Sequence, residues 1–207
     1  MSNAFRIRIV SFALFGLTWI LLVVSFSTFW YFYTDYENGA KRYMWSKFNE
    51  MRVMIYENDV LVENYITSWD MTEKTNERSI YRASVAFVIL SWIQLTILLL
   101  TIGLSFAGAL DRISSFPFNL MIRGMSICAV VFSVIAMLVF TGLPAAKLKD
   151  CQNTYSDSEC NFSDFKHFVY TSKMTRANPD VGWAVIIPAI AFNIGGSVVS
   201  FFVNYQE

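Results

Sequence analysis

The chain has 207 residues, 55% of them hydrophobic and 17% aromatic, and its 15% of charged residues cancel to a formal net charge of zero. Soluble domains carry about 25% charged residues, so this composition excludes an ordinary soluble fold. The lack of any basic excess also argues against nucleic acid as a partner and against a polybasic attachment to anionic lipid.

Four stretches hold no Asp, Glu, His, Lys or Arg: Ile9 to Thr34, Ala83 to Leu110, Gly124 to Ala146 and Val181 to Gln206. A helix crossing a bilayer needs roughly 20 apolar residues, and each stretch supplies them. Hydrocarbon offers no water to bond backbone amides, so the stretches are predicted as helices. The fold class expected is an all-α membrane protein, a four-transmembrane-helix bundle with a small extracellular β-sheet formed by the two large loops.

In chain order, residues 1–8 form an N-terminal tail with Arg6 and Arg8, and 9–34 the first span. A cleaved signal peptide is excluded because its apolar region runs only about 7 to 15 residues. The cluster Phe29-Trp30-Tyr31-Phe32-Tyr33 reads as an interfacial aromatic belt closing a retained helix. Residues 35–82 make the first large loop. Within it Met51 to Tyr56 and Val60 to Ile66 are rich in strand-forming residues around a turn at Glu57-Asn58-Asp59, which predicts a β-hairpin. Met44, Phe48, Met51 and Ile55 recur at helical spacing, so the stretch before Met51 is assigned to a helix.

The second span, 83–110, carries Gln94 at depth and the small pair Gly103 and Ala107. A link, 111–123, leads to the third span, 124–146, where Cys128 is a small packing residue. The second large loop, 147–180, holds Cys151 and Cys160, close enough for a local disulfide, beside the glycosylation acceptor Asn161-Phe162-Ser163. The rival reading is two reduced thiols and a chance sequon in a cytosolic loop. Phe165 to Thr171 alternates as a half-buried strand would. The fourth span, 181–204, contains Asn193, the small residues Ala191, Gly195 and Gly196, and Pro188, which should kink it. Residues 205–207 form the tail.

Lys and Arg do not settle the topology: Arg6, Arg8, Arg112 and Arg123 flank the spans on one side, and the large loops hold the other twelve of sixteen. Read literally, that distribution places the loops in the cytoplasm. The cysteine pair and sequon point the other way. The reading adopted puts the large loops outside and both termini in the cytoplasm, in the plasma membrane or an endomembrane.

No charged residue stands within the spans as drawn, and pumps, transporters and voltage sensors need them there. Gln94 and Asn193 are read as bonds between helices, or less readily as pore-lining groups. The small-xxx-small pairs allow close helix approach, inside the bundle or between protomers. The single histidine, His167, has no nucleophile motif around it, and Cys151, Cys160 and His167 lack the spacing of a zinc site. An enzyme is not expected, nor a metal or cofactor.

The layout of four helices, short cytoplasmic ends, a first loop near fifty residues forming a sheet and a second adding a strand resembles the claudin and peripheral-myelin-protein superfamily. Trp30, Trp45 and Arg82 loosely match that family's tryptophans and its loop arginine, whereas its first-loop cysteine pair is absent. The resemblance covers layout and does not fix function; with no catalytic motif and no intramembrane charge, the expectation is a non-enzymatic tetraspan protein that acts by lateral assembly and extracellular contacts, in adhesion, at junctions, as a scaffold or as an accessory subunit. Its expected partners are membrane lipids and either further copies of itself or a larger membrane complex. The alternative is an oligomeric channel whose pore forms only between protomers.

Overall fold

The computed structural model describes residues 3–37, 39–69, 74–108, 117–155, 160 and 166–203. Its elements are α1 (Asn3–Ser27), β1 (Tyr31–Glu37), β2 (Ala40–Ser46), β3 (Glu50–Glu57), β4 (Val60–Ser68), α2 (Thr75–Phe106), α3 (Phe118–Thr141), α4 (Leu143–Thr154), β5 (Tyr170–Thr171), β6 (Arg176–Pro179), α5 (Val181–Ala184) and α6 (Ile186–Phe201). Four helical spans, Phe5–Ser27, Thr75–Phe106, Phe118–Thr141 and Val181–Phe201, are long and apolar enough to cross a membrane. The chain divides into two compact units, one of residues 1–24, 87–135 and 185–207 and one of residues 25–86 and 136–184.

The first unit is helical, and its outer surface is apolar, unlike that of a soluble bundle. Ile20, Leu100, Leu104, Leu120 and Val198 lie among the exposed large apolar residues, as lipid-facing positions should. The buried positions recur at helical spacing, and many are small or polar: Ser11 and Thr18 on α1, Ser91 on α2, Ser126, Ala129 and Ser133 on α3, and Ala189, Asn193, Gly196 and Ser200 on α6, beside larger apolar residues such as Phe15 and Leu95. Lipid tails give helices no hydrophobic reason to associate, so close packing and hydroxyl bonds must do it. Ser91 Oγ lies 2.9 Å from both the Ala129 carbonyl and Ser133 Oγ, and Trp19 Nε1 donates to Thr96 Oγ1 at 2.8 Å. Gly196 is required by its neighbour, since a Cβ there would sit 2.8 Å from the Phe15 ring.

The second unit is built on a six-stranded antiparallel sheet in the order β4-β3-β2-β1-β6-β5. The expected hairpin is present as β3 and β4, turned by Asn58 and Asp59 in the left-handed region at φ 50° and 62°, where Asn and Asp are tolerated better than most residues. Its core gathers Trp30, Tyr31, Trp69, Tyr81 and Phe140. Phe140 meets the Trp30 and Tyr81 rings edge-on at 5.0 and 5.1 Å. The indole N–H groups of Trp30 and Trp69 donate to the Ser25 and Lys47 carbonyls at 2.8 and 2.6 Å. Gly182 packs its backbone against Trp30 and donates its N–H to the Phe29 carbonyl at 2.7 Å, which leaves no room for a side chain.

Several boundaries depart from the sequence reading. The first helix ends at Ser27, and the aromatic cluster runs into β1 rather than closing a span. An unbroken apolar run does not separate helix from strand, and the pairing of Tyr33 with Met44 decides for strand. The stretch before Met51 is strand β2, not helix: Met44 faces Tyr33 on one side and Val53 on the other, and two ladders outweigh a coincidental helical spacing. The first helix begins at Asn3 and takes in Arg6 and Arg8; Arg8 is 8% exposed and donates to Ser105 Oγ at 3.5 Å. The second helix starts at Thr75, ahead of Ala83. The third ends at Thr141 rather than running to Ala146, and α4, opened by Gly142 and Pro144, continues as helix through 147–154, where loop was expected. Residues 165 to 171 yield only β5 among the described positions, with β6 beside it. The fourth span breaks at Val185, because Pro188 offers no N–H to the Ala184 carbonyl and its ring crowds that oxygen.

Candidate functional site: an open sheet edge and a tyrosine-lined cleft

The strand β4 forms one edge of the sheet, so one row of its N–H and C=O groups faces no neighbouring strand. Eight of its nine residues are exposed, including Val60 and Ile66 at 64% and 63%, with Leu61, Val62 and Tyr65 beside them. Glu63 is its only charge. The ladder passes from Ile55 with Glu63 to Tyr56 with Leu61, so Val62 is an extra, bulged residue. Beyond that bulge, Glu63 to Ser68 runs in even register with β3. One face of β1 to β3 adds an aromatic surface: Tyr43 and Trp45 stack at 5.9 Å, and Phe32 and Tyr56 meet Tyr43 at 6.1 and 5.5 Å.

The opposite face of the same strands carries Tyr31, Tyr33, Met44 and Met51, alternate positions placed together by the register. With the start of α2 and one side of α4 they enclose a cleft of about 430 Å³. On α4 the residues Lys147, Asp150, Cys151 and Thr154 share that side, at spacings of three and four. Lys147 Nζ stands 4.1 Å above the Tyr31 ring and 5.4 Å from the Tyr33 ring. Asp150 is buried, and its carboxylate accepts from Asn76 N at 2.9 Å, Asn76 Nδ2 at 2.6 Å and Glu77 N at 2.7 Å. The first amides of α2 have no helical partner of their own, so a carboxylate supplied by α4 caps them. Glu77 lies 3.9 Å from Lys74 Nζ.

A disulfide joins Cys151 to Cys160, next to the capping Asp150. Asn161, the expected glycan acceptor, lies outside the described residues. The small residues separate into two groups. Gly196 is buried against Phe15, Gly195 is half-buried, where a Cβ would stand 3.7 Å from Leu14, and Ala191 is exposed. Nothing lies within 4 Å of a Cβ built on Gly103, and Ala107 is exposed. Gln94 is half-buried, while Asn193 is fully buried and neither of its amide atoms meets a hydrogen-bond partner. Cys128 is exposed, as is His167, whose ring stacks on Tyr170. Among the described residues no group of His, Cys, Asp and Glu is placed to hold a metal ion.

Sequence reasoning missed Lys147 and Asp150 because their partners, Tyr31 and Asn76, are far away along the chain. The spacing of Lys147, Asp150, Cys151 and Thr154 was a readable signal for a helix side. The apolar content of β4 was also readable, but its exposure was not. No protein-family model matches the chain, and no curated protein shows significant sequence similarity to it.

Proposed function

We propose that this is a non-enzymatic multi-pass membrane protein that works by contacts, presenting its sheet edge to a partner and assembling laterally in the membrane. The observation that carries the reading is β4, a nine-residue edge strand exposed along almost its whole length, apolar and singly charged. Edge strands of self-contained proteins are short, charged or covered; one left open can accept a further strand, with backbone bonds giving affinity and side chains selectivity. The four apolar helices and the sheet drawn from both large loops support the resemblance to the claudin and peripheral-myelin-protein layout. The disulfide supports placing the large loops in an oxidising, extracytoplasmic compartment, with both termini cytoplasmic. Lateral association uses the open side of α6, where Ala191 and Gly195 leave space for a neighbouring helix.

The test places lysines on the edge, Val62→Lys with Ile66→Lys, in the full chain expressed in its own membrane. Chemical crosslinking and native-gel sizing should show loss of the higher-order species while the purified variant keeps its thermal transition. Unchanged assembly would sink the role of β4.

A further inference from the structure

Asn193 and Ser197 are buried polar side chains that the edge contact does not use. Asn193 is 0% exposed and Ser197 7%. The amide oxygen and nitrogen of the first and the hydroxyl of the second meet no hydrogen-bond partner within the protein. Their spacing of four puts both on one side of α6, with Cβ atoms roughly 5–6 Å apart. Burying unpaired polar groups is costly, most of all at the low dielectric of a bundle set in lipid. Hydroxyls elsewhere in the helical unit avoid that cost by donating to the carbonyl four residues back, as Thr18, Thr96, Thr101 and Ser133 do. Ser197 Oγ makes no such bond. Nearby carbonyls also have other donors: the Thr18 hydroxyl reaches the Ala189 carbonyl from α1 at 3.5 Å, and Ser200 Oγ donates to the Ser197 carbonyl at 2.7 Å.

The chemistry of the pair selects its occupant. An apolar molecule would leave an acceptor, a donor and a hydroxyl unpaired. A cation would bring an uncompensated charge, since among the described residues no carboxylate is buried in the helical unit. Both side chains are closed off from the surface, which suits only a very small molecule. We propose that a water molecule is held inside the helical unit between Asn193 and Ser197, as a built part of the membrane-spanning bundle. It accepts from Asn193 Nδ2, donates one hydrogen to Asn193 Oδ1 and gives the other to Ser197 Oγ, matching the about three hydrogen bonds of a buried water. Bonds of about 2.8 Å through one oxygen bridge side chains at this separation.

The experiment uses the full isotope-labelled chain in phosphatidylcholine bilayers and follows magnetisation passed from water to side-chain nitrogens by solid-state NMR. Transfer to the Asn193 amide should build up several-fold faster than transfer to Trp19 Nε1, a donor of the same unit already bonded to Thr96 Oγ1 at 2.8 Å. Ser197→Ala deletes one of the three bonds and should slow the transfer to Asn193 toward the Trp19 rate. Ser133→Ala, at a hydroxyl bonded to the Ala129 carbonyl, should leave it unchanged. The wild-type comparison needs no variant, so it decides the matter even where Ser197→Ala fails to fold. The proposal is overturned if wild-type Asn193 takes up water magnetisation no faster than Trp19, or if a folded Ser197→Ala leaves the Asn193 rate as it was.

Discussion

Asp150→Ala removes the cap that α4 supplies to α2, and its cost can be worked from three contacts. Asn76 is half-buried, so water can replace the carboxylate at its two nitrogens, whereas Glu77 is buried and its amide would be left without a partner. An unsatisfied buried donor costs about 1–3 kcal/mol. Losing a negative charge at a helix N-terminus costs about 0.5–2 kcal/mol more. The sum is about 3 kcal/mol, with Asp150→Asn losing about half because it retains an acceptor oxygen. For a chain of this length each kcal/mol moves the midpoint by roughly 2–4 °C, so Asp150→Ala should lower the apparent Tm by about 6–12 °C. Tryptophan fluorescence of detergent-solubilised protein at a fixed scan rate reads this, since Trp69 packs 5.2 Å from Tyr81, about one turn beyond the capped end of α2. A shift below about 2 °C would refute the cap, and so would Asp150→Asn matching Asp150→Ala.

The remaining predictions concern covalent and packing constraints. Replacing Cys151 and Cys160 with serine should cost on the order of 2–3 kcal/mol in the chain-entropy account; intact-mass analysis after alkylation without reductant should show the wild-type pair protected and Cys128 labelled. Gly196→Leu should prevent folding or lower the midpoint sharply, because the Phe15 ring occupies the space, with a cost of about 1–3 kcal/mol or more. Gly195→Leu should fold normally yet lose higher-order species in nanodiscs, and an unchanged oligomer would remove this side of α6 from the assembly surface.

The four spans were legible because the requirement to bond every amide in hydrocarbon leaves a single solution, and the hairpin because turn residues separate two strand-forming runs. What stayed hidden depended on distance along the chain. Tyr31 and Phe32 read as the end of a helix until their pairing with Ser46 and Trp45 is known. Arg8 read as a tail residue, since nothing local shows that its helix begins at Asn3. The disulfide pair was visible as spacing, yet the Asp150 cap beside it joins residues 74 positions apart. Alternation placed neither face of the sheet toward α4, so the cleft could not be drawn from sequence.

The hydroxyls of the helical unit bear on how such a chain enters a membrane. Thr18, Thr96, Thr101 and Ser133 each donate to the carbonyl four residues earlier in their own helix, at 2.8 to 3.0 Å. A helix with its hydroxyls folded back in this way shows hydrocarbon little polarity before any neighbour arrives. On α1, α2 and α3 these hydroxyls can therefore enter hydrocarbon already bonded, and exchange or share those bonds only when the helices meet, as Ser133 does with Ser91. Asn193 has no such refuge, because a side-chain amide carries more donors and acceptors than one backbone carbonyl can satisfy. The last helix is thus the one that gains most from arriving after its partners are in place.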